Sequence, residues 1–358
     1  MFKSVFMNNF GQYLTVQDAS KRLGVSVSTL RNWDKSGKLK SQRNPYNDYR
    51  LYSLEDINSI LQTLQSGREK IESAPPVDRK NISEFINKVI QGDCLDVMAT
   101  MPDKSVDMIL CDLPYGTTQN KWDSVIDLNK LWSEYKRIIK DNGVIVLTSQ
   151  GVFTARLILS NEEWFKYKIV WIKSKSTNFL NAKKQPLRKH EDICIFYKKQ
   201  PTYNPQMTRG ESYDKGIRKN QFTGSYGDFK PCHVKSDGQR YPNDVLFYEE
   251  DGIDDCVYFK TAESEGTVYH PTQKPVELGR YLIKTYTNSG DIVLDNACGS
   301  GSFLISALLE NRKFIGIEKN EEIMLHKVEP ADYIKVCNER IKRTVEKMQS
   351  EMESESKL

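Results

Sequence analysis

Three apolar runs stand out from a largely polar chain, and each leads into a residue able to do chemistry. Val106–Cys111 is β-branched and aliphatic apart from Asp107, which predicts a strand emptying into Asp112. Residues 292–294 predict a second strand, tipped by Asp295; glycines at 299 and 301 permit a tight turn, and 303–309 predict the helix after it. Residues 314–317 predict a third strand, ending in Glu318. Open α/β sheets bind ligands just beyond the carboxyl ends of their strands, and the expected fold is a doubly wound α/β sheet. The loops after Cys111 and Leu294 are therefore expected to edge one pocket, although roughly 180 residues separate them.

Near the N-terminus the pattern is that of short helices. Residues 17–23 predict one with Ala19 and Leu23 apolar, closed by Gly24, and Ser26 or Ser28 can cap a second over 29–35. Two short helices joined by a glycine-bearing turn form a helix-turn-helix, whose second helix enters a DNA major groove. Ser28, Thr29, Arg31, Asn32 and Lys35, with Arg43 and Arg50 beyond them, are its candidate DNA contacts. From Tyr13 to Leu61 Lys and Arg outnumber acids eight to five, which suits a duplex; a protein-binding helical module is the alternative. Residues 66–81 contain Gly67, Pro75-Pro76 and seven charged residues, and read as a linker between a domain at 1–65 and another at 82–348. Within the second, 82–172 is the catalytic half, about 173–268 an inserted recognition region, and 269–348 the cofactor half. Residues 332–348 predict a final helix, and 349–358 a disordered tail.

Charge sharpens this division. The 358-residue chain carries a net charge of only +4, but residues 173–240 hold fifteen Lys and Arg against six acids, so the remainder is net acidic. In this stretch Phe179, Tyr197, Tyr203, Tyr213, Phe222, Tyr226 and Phe229 interleave with the cations, combining stacking surfaces with phosphate contacts; a solvated lysine-rich face is the plainer reading. Lys183, Lys184, Arg188, Arg209 and Arg218 are candidate DNA-binding residues, and Asn178, Asn181, Gln185 and Asn220 could join the arginines in reading base edges. Residues 249–255, with two Glu and three Asp, would repel phosphate. Seven cysteines without C-x-x-C spacing and four scattered histidines give no support to a metal site. With neither a signal peptide nor a long apolar run, a cytoplasmic protein with reduced thiols and no membrane partner is expected.

The two loops differ in chemical logic. A pyrophosphate-binding loop would read Gly-x-Gly-x-x-Gly, whereas this one reads Gly-Ser-Gly-Ser-Phe with an acid, Asp295, at the strand tip, which suits a cationic or amino-bearing ligand. Glu318, about twenty residues on, is placed to accept hydrogen bonds from two ribose hydroxyls. In the other loop, the Asp112 carboxylate and the Leu113 carbonyl, stiffened by Pro114, can accept the two N–H bonds of an exocyclic base amine and favour its nucleophilic form. Tyr115, expected to be exposed, can stack on a flipped base. A thiolate at Pro231-Cys232 adding to a ring carbon is set aside, because that dipeptide lies in a polar, loop-like stretch.

Asp-Leu-Pro-Tyr-Gly at 112–116, His-Pro-Thr-Gln-Lys-Pro at 270–275 and Leu-Asp-Asn-Ala-Cys-Gly-Ser-Gly-Ser at 294–302, in this order, resemble the β-class DNA amino-methyltransferases over roughly residues 88–345. The resemblance implies S-adenosyl-L-methionine as cofactor and Asp112, Leu113, Pro114 and Tyr115 as the catalytic motif. It implies Asp295, Ala297, Gly299, Gly301 and Ser302 as the cofactor loop, Glu318 as the ribose acid, Thr272 and Lys274 at the methionine end, and Asp93 on the cofactor's adenine amine. Leu113 departs from the family's usual proline, and Asp112, where cytosine-N4 enzymes more often carry serine, tilts the reading to adenine N6. Residues 13–62 resemble the winged helix of MerR- and excisionase-type domains. The expected function is site-specific methylation of adenine in double-stranded DNA. Cytosine-N4 methylation, transfer to RNA or protein, and a DNA-binding regulator with a silent methyltransferase fold are the alternatives. A cognate restriction endonuclease and a homodimer are compatible with it.

Overall fold

A computed structural model describes residues 12–44, 47–62, 78–116, 125–219, 221–223, 227–246, 262, 267–269, 272–320, 324–325, 329–330 and 332–355. Most of the expected linker, the acidic stretch 249–255, and Asn220, Tyr226, His270 and Pro271 lie outside them. The chain divides into two compact units, Met1–Val77 and Asp78–Leu358.

In the first unit, β1 (Tyr13–Thr15) leads into α1 (Val16–Leu23) and α2 (Val27–Ser36), followed by β2 (Gln42–Arg43), β3 (Arg50–Ser53) and a helical stretch at 54–62. Thr15 caps α1 by accepting from the Asp18 N–H; Ser26, rather than Ser28, caps α2 by accepting from the Thr29 N–H. Gly24 and Gly37 close the two helices in left-handed conformations, at φ 67° and 78°. β3 pairs antiparallel with both β1 and β2, so the β2–β3 hairpin forms the wing. Ala19, Leu23, Leu30, Leu39, Tyr52 and Ile57 bury a small common core.

The second unit begins a few residues before its expected start. Lys80 N–H donates to the Thr100 carbonyl, Arg79 pairs with Asp103 at 2.9 Å, and Asn81 and Glu84 form a reciprocal capping box. Its frame comprises β4 (Lys88–Gln91), α3 (Cys94–Ala99), β5 (Val106–Cys111), α4 (Leu128–Ile138), β6 (Ile139–Ser149), α5 (Val152–Ser160), β7 (Phe165–Thr177) and β8 (Arg188–Phe196). Short strands follow: β9 (Thr208–Arg209), β10 (Tyr213–Arg218), β11 (Gln221–Thr223), β12 (Gly227–Phe229), β13 (Cys232–Ser236), β14 (Gln239–Arg240) and β15 (Val245–Leu246). The chain then returns through α6 (Val276–Tyr286), β16 (Ile292–Asp295), α7 (Ser302–Leu309), β17 (Lys313–Glu318), β18 (Met324–Leu325), β19 (Glu329–Pro330) and α8 (Tyr333–Glu355).

Eight strands form one sheet in the order β15-β7-β8-β6-β5-β16-β17-β4, parallel from β6 to β4. Alternation along β5 divides its side chains: Ile109 and Cys111 face the layer holding α3, α4 and α5, while Met108 and Leu110 face α6, α7 and α8. Both faces are thereby covered, the doubly wound arrangement that the apolar runs implied. From β5 the chain crosses to β6 on one side, and from β16 to β17 on the other, so the switch point lies between β5 and β16. Asp107, the polar exception in β5, accepts from the Ile292 N–H at 3.0 Å and from Lys140 at 2.7 Å, which joins the two strands at their amino ends.

One expectation changes. The final helix does not stop near 348 but runs through Glu355, where Lys342–Glu346 and Lys347–Glu351 at i,i+4 spacing support its exposed turns. Among the described residues, no helix is long and apolar enough to cross a membrane.

Candidate active site

At the switch point lies a cavity of about 760 Å³. Residues 112–115 line one side, and Asp295, Ala297, Gly299, Ser302 and Glu318 another, so strand pairing brings the two loops together despite their separation in sequence. Asp93, Thr272, Lys274, Asn178 and Arg188 also reach it.

Asp112 is held by an arrangement that the sequence motif did not reveal. Its Oδ1 accepts from the Thr148 hydroxyl of β6 and from the Tyr115 hydroxyl at 2.8 Å; the two hydroxyl oxygens are 3.0 Å apart. Its Oδ2 accepts from Lys274 Nζ at 2.6 Å, and that ammonium lies 3.3 Å from Glu191 Oε2. Glu191 Oε1 in turn accepts from Lys173 Nζ at 2.8 Å. Lys173, Glu191 and Lys274 are all buried, forming an alternating chain of charge that ends on Asp112. Burial works against the charge of Lys274, but the Asp112 and Glu191 carboxylates outweigh it and raise its pKa. Glu191 is likewise opposed by burial, and the two lysines hold its pKa below the ordinary value. Lys274, expected at the methionine end of a cofactor, is thus engaged by Asp112.

Tyr115 is not the exposed ring the sequence suggested. It is half-buried and stacks on Phe153, with centroids 5.2 Å apart and planes 27° from parallel, while Lys274 Nζ stands 5.7 Å from its centroid. The α5 helix, which supplies Phe153, closes over the loop. Leu113 is buried and Pro114 half-buried beside it.

The opposite wall is built from backbone. Gly299 N–H donates to Glu318 Oε2 at 2.7 Å, and Asn320 N–H to Oε1 at 3.1 Å, which fixes the acid at the tip of β17. Arg340 of α8 donates to the Ser300 carbonyl at 2.6 Å and reaches the Ser302 hydroxyl at 3.4 Å. Gly301 is not among the residues that line the cavity; φ is 81°, and a Cβ there would collide with Cys337 Sγ. Glycine is needed at 301 for helix packing, whereas Gly299 faces the pocket. Asp295 is buried, accepts from the Ala297 N–H at 3.2 Å and from the Cys111 thiol, and its pKa rises to about 7, chiefly through burial, with the Asp112 and Glu318 charges adding. Asp93 caps α3 by accepting from the Leu95 N–H at 2.9 Å.

The expected DNA contacts divide into exposed and engaged groups. On α2, Ser28, Arg31, Asn32 and Lys35 form an exposed stripe at helical spacing, with Thr29 half-buried at its edge. Arg50 is tied to Asp34 at 2.7 Å, and Arg43 to Asp48 at 3.5 Å, so both brace the wing. In the second unit Lys183, Lys184, Arg188, Arg209 and Arg218 are exposed; Arg188 donates to Gln150 at 2.7 Å.

Residues 106–329 match the DNA methylase family of N6 and N4 methyltransferases, and residues 15–52 match the MerR family of regulatory proteins. The Type II methyltransferase M.HinfI of Haemophilus influenzae is 25% identical over 74% of this chain and 70% of its own. The DNA adenine methyltransferase YhdJ of Escherichia coli is 30% identical over 65% of this chain and 79% of its own. Among solved structures, the M1.HpyAVI–SAM complex covers 71% of this chain and 98% of that one at 20% identity and a TM-score of 0.45. With the family match spanning most of the second unit, the chain belongs to the N6/N4 DNA methylases.

Proposed function

We propose that the protein methylates the exocyclic N6 amine of adenine in double-stranded DNA, using S-adenosyl-L-methionine. The observation that carries this reading is the placement of Asp112 and the glycine loop on neighbouring parallel strands around one cavity.

The cofactor fits the donor set present. Asp295, Asp112 and Glu318 place three carboxyl groups around one cavity; burial is the main cause of the raised pKa of Asp295, the other two acids add to it, and a cationic ligand would offset all of these costs. Glu318 would take the ribose hydroxyls, Asp93 the adenine amine, and Asp295, Ala297, Gly299 and Ser302 the remainder, with Thr272 nearby; Gly301 acts only through the fold of the loop. S-adenosyl-L-methionine supplies, when bound, an electrophilic methyl group on a sulfonium.

The chain's own part is to hold the amine. Asp112 and the Leu113 carbonyl accept its two N–H bonds, which draws the nitrogen lone pair out of conjugation with the ring. Lys274 fixes Oδ2 of Asp112, leaving Oδ1, whose partners are hydroxyls able to rotate, as the oxygen that meets the substrate. Tyr115, braced by Phe153, bounds the space for the base. The aspartate at 112 tilts the reading to adenine rather than cytosine, and the name of the YhdJ relative supports it.

Incubating the protein with unmethylated bacterial DNA and isotopically labelled S-adenosyl-L-methionine, then resolving the nucleosides by mass spectrometry, tests the proposal. Label in N6-methyladenine that disappears with Asp112→Ala is expected. Label in N4-methylcytosine would overturn the choice of base, and no label in DNA would overturn the substrate.

A further inference from the structure

The β7–β8 hairpin projects two large apolar side chains into solvent. Phe179 is 75% exposed and Leu180 86%, far more than apolar residues elsewhere in this sheet. They sit on a hydrogen-bonded support. Asn178 adopts a left-handed conformation at φ 70°, Asn181 Nδ2 donates to its side-chain oxygen at 2.8 Å, and the Lys184 and Gln185 N–H groups donate to the Asn181 carbonyl. At the base of the tip, Thr177 faces Arg188 across the ladder. The turn therefore spends its hydrogen bonds on holding an apolar point outward.

Two further observations identify what the point meets. Between Lys173 and His190 there is no acidic residue, and the tip's flanks carry Lys183, Lys184, Arg188 and Lys189, all exposed. The same hairpin also reaches the active-site cavity, because Thr177, Asn178 and Arg188 line it. An apolar point framed by cations at the mouth of a pocket suits a partner that is polyanionic outside and apolar within, which describes a stacked nucleic-acid duplex.

We infer that Phe179 and Leu180 form a wedge that enters the DNA base stack beside the target and helps to open it. The inference rests on the proposed action on duplex DNA. Unstacking a base costs a few kcal/mol, and an inserted apolar side chain offsets part of that cost by covering the exposed faces of the neighbouring bases. The wedge contributes to extrusion of the target and not to the chemistry at its amine.

The test first maps the site methylated by the wild-type protein, then compares two synthetic duplexes containing it: one fully paired, one with an abasic position opposite the target. The Phe179→Ala/Leu180→Ala double variant is expected to lose about 10- to 100-fold in kcat/KM on the paired duplex, an opening cost of about 1.4–2.8 kcal/mol. On the abasic duplex, where the target is already unpaired, it should recover to within about twofold of wild type. Wild-type rates on the paired duplex would overturn the wedge, as would an equal loss on both duplexes, which would make the tip a binding or folding element. Wild-type protein that methylates no site in DNA at the mapping step would overturn the underlying reading as well, so the two failures are distinguishable. Val152→Ala, which removes an apolar residue that is 70% exposed on α5, should leave both rates unchanged.

Discussion

Asp295 lies buried at the tip of β16, and its carboxyl is displaced from 3.8 to about 7. Exchange for asparagine tests whether this acid is kept for ligand binding at the expense of stability. The folded protein binds the proton more tightly than the unfolded chain, so stability falls as pH rises from about 4 to about 7 and is flat above. The full displacement corresponds to about 4 kcal/mol. Asparagine cannot ionise, and its oxygen can still accept from the Ala297 N–H; the contribution of the Cys111 thiol to the charged form is already contained in the displacement. Asp295→Asn should therefore match wild type near pH 4 and exceed it by about 4 kcal/mol at pH 8. Thermal unfolding across this range reads the difference. Calorimetric titration with S-adenosyl-L-methionine reads the other side: wild-type affinity should rise with pH to about 7, and the variant should bind weakly at every pH. A variant destabilised equally at pH 4 and 8 would refute the view that an uncompensated buried charge sits here.

Removing the ammonium between two acids should be severe: Lys274→Met is expected to cost about 3–5 kcal/mol and to abolish methyl transfer, and adding Glu191→Gln should restore part of the stability but no activity, as measured by urea unfolding and label transfer. Gly301→Ala should cost about 2–4 kcal/mol, from the left-handed backbone and the collision with Cys337; if Cys337→Ala restored nothing, the packing explanation would be wrong. In the N-terminal unit, Asp34 is held at about 2, first by the Ser41 N–H and then by Arg50. Its contribution is present above about pH 4 and lost as pH falls towards 2, so hydrogen exchange in residues 13–62 should accelerate over that interval, and less so in Asp34→Asn.

What could be read in the sequence was whatever depends on local pattern. Strand exits at Cys111 and Leu294 implied a shared pocket because strand ends converge in any open parallel sheet. The partners of Asp112 were hidden for the opposite reason. Thr148, Glu191 and Lys173 come from three strands with no motif around them, and in the sequence Glu191 is merely one acid among many lysines. Tyr115 looked exposed because it follows a turn; its burial depends on Phe153, which only the packing of α5 supplies. Gly301 resembled a ligand contact because cofactor loops and tight helix packing use the same residue, and only the position of Cys337 separates the two. Arg340 gave no signal at all within a long charged helix.

The chain leaves the main sheet at Phe196 and returns to it at Val245, and both strands at these exits, β8 and β15, flank β7. Asn204 pins the departing segment to α6 through the Thr285, Lys284 and Thr287 carbonyls, and among the described residues the strands beyond it pair with one another until β15. The two anchors lie at the far side of the sheet from β5 and β16, so a change in the length of the segment between them would be absorbed at that edge, while the strands that carry Asp112 and Asp295 keep their spacing.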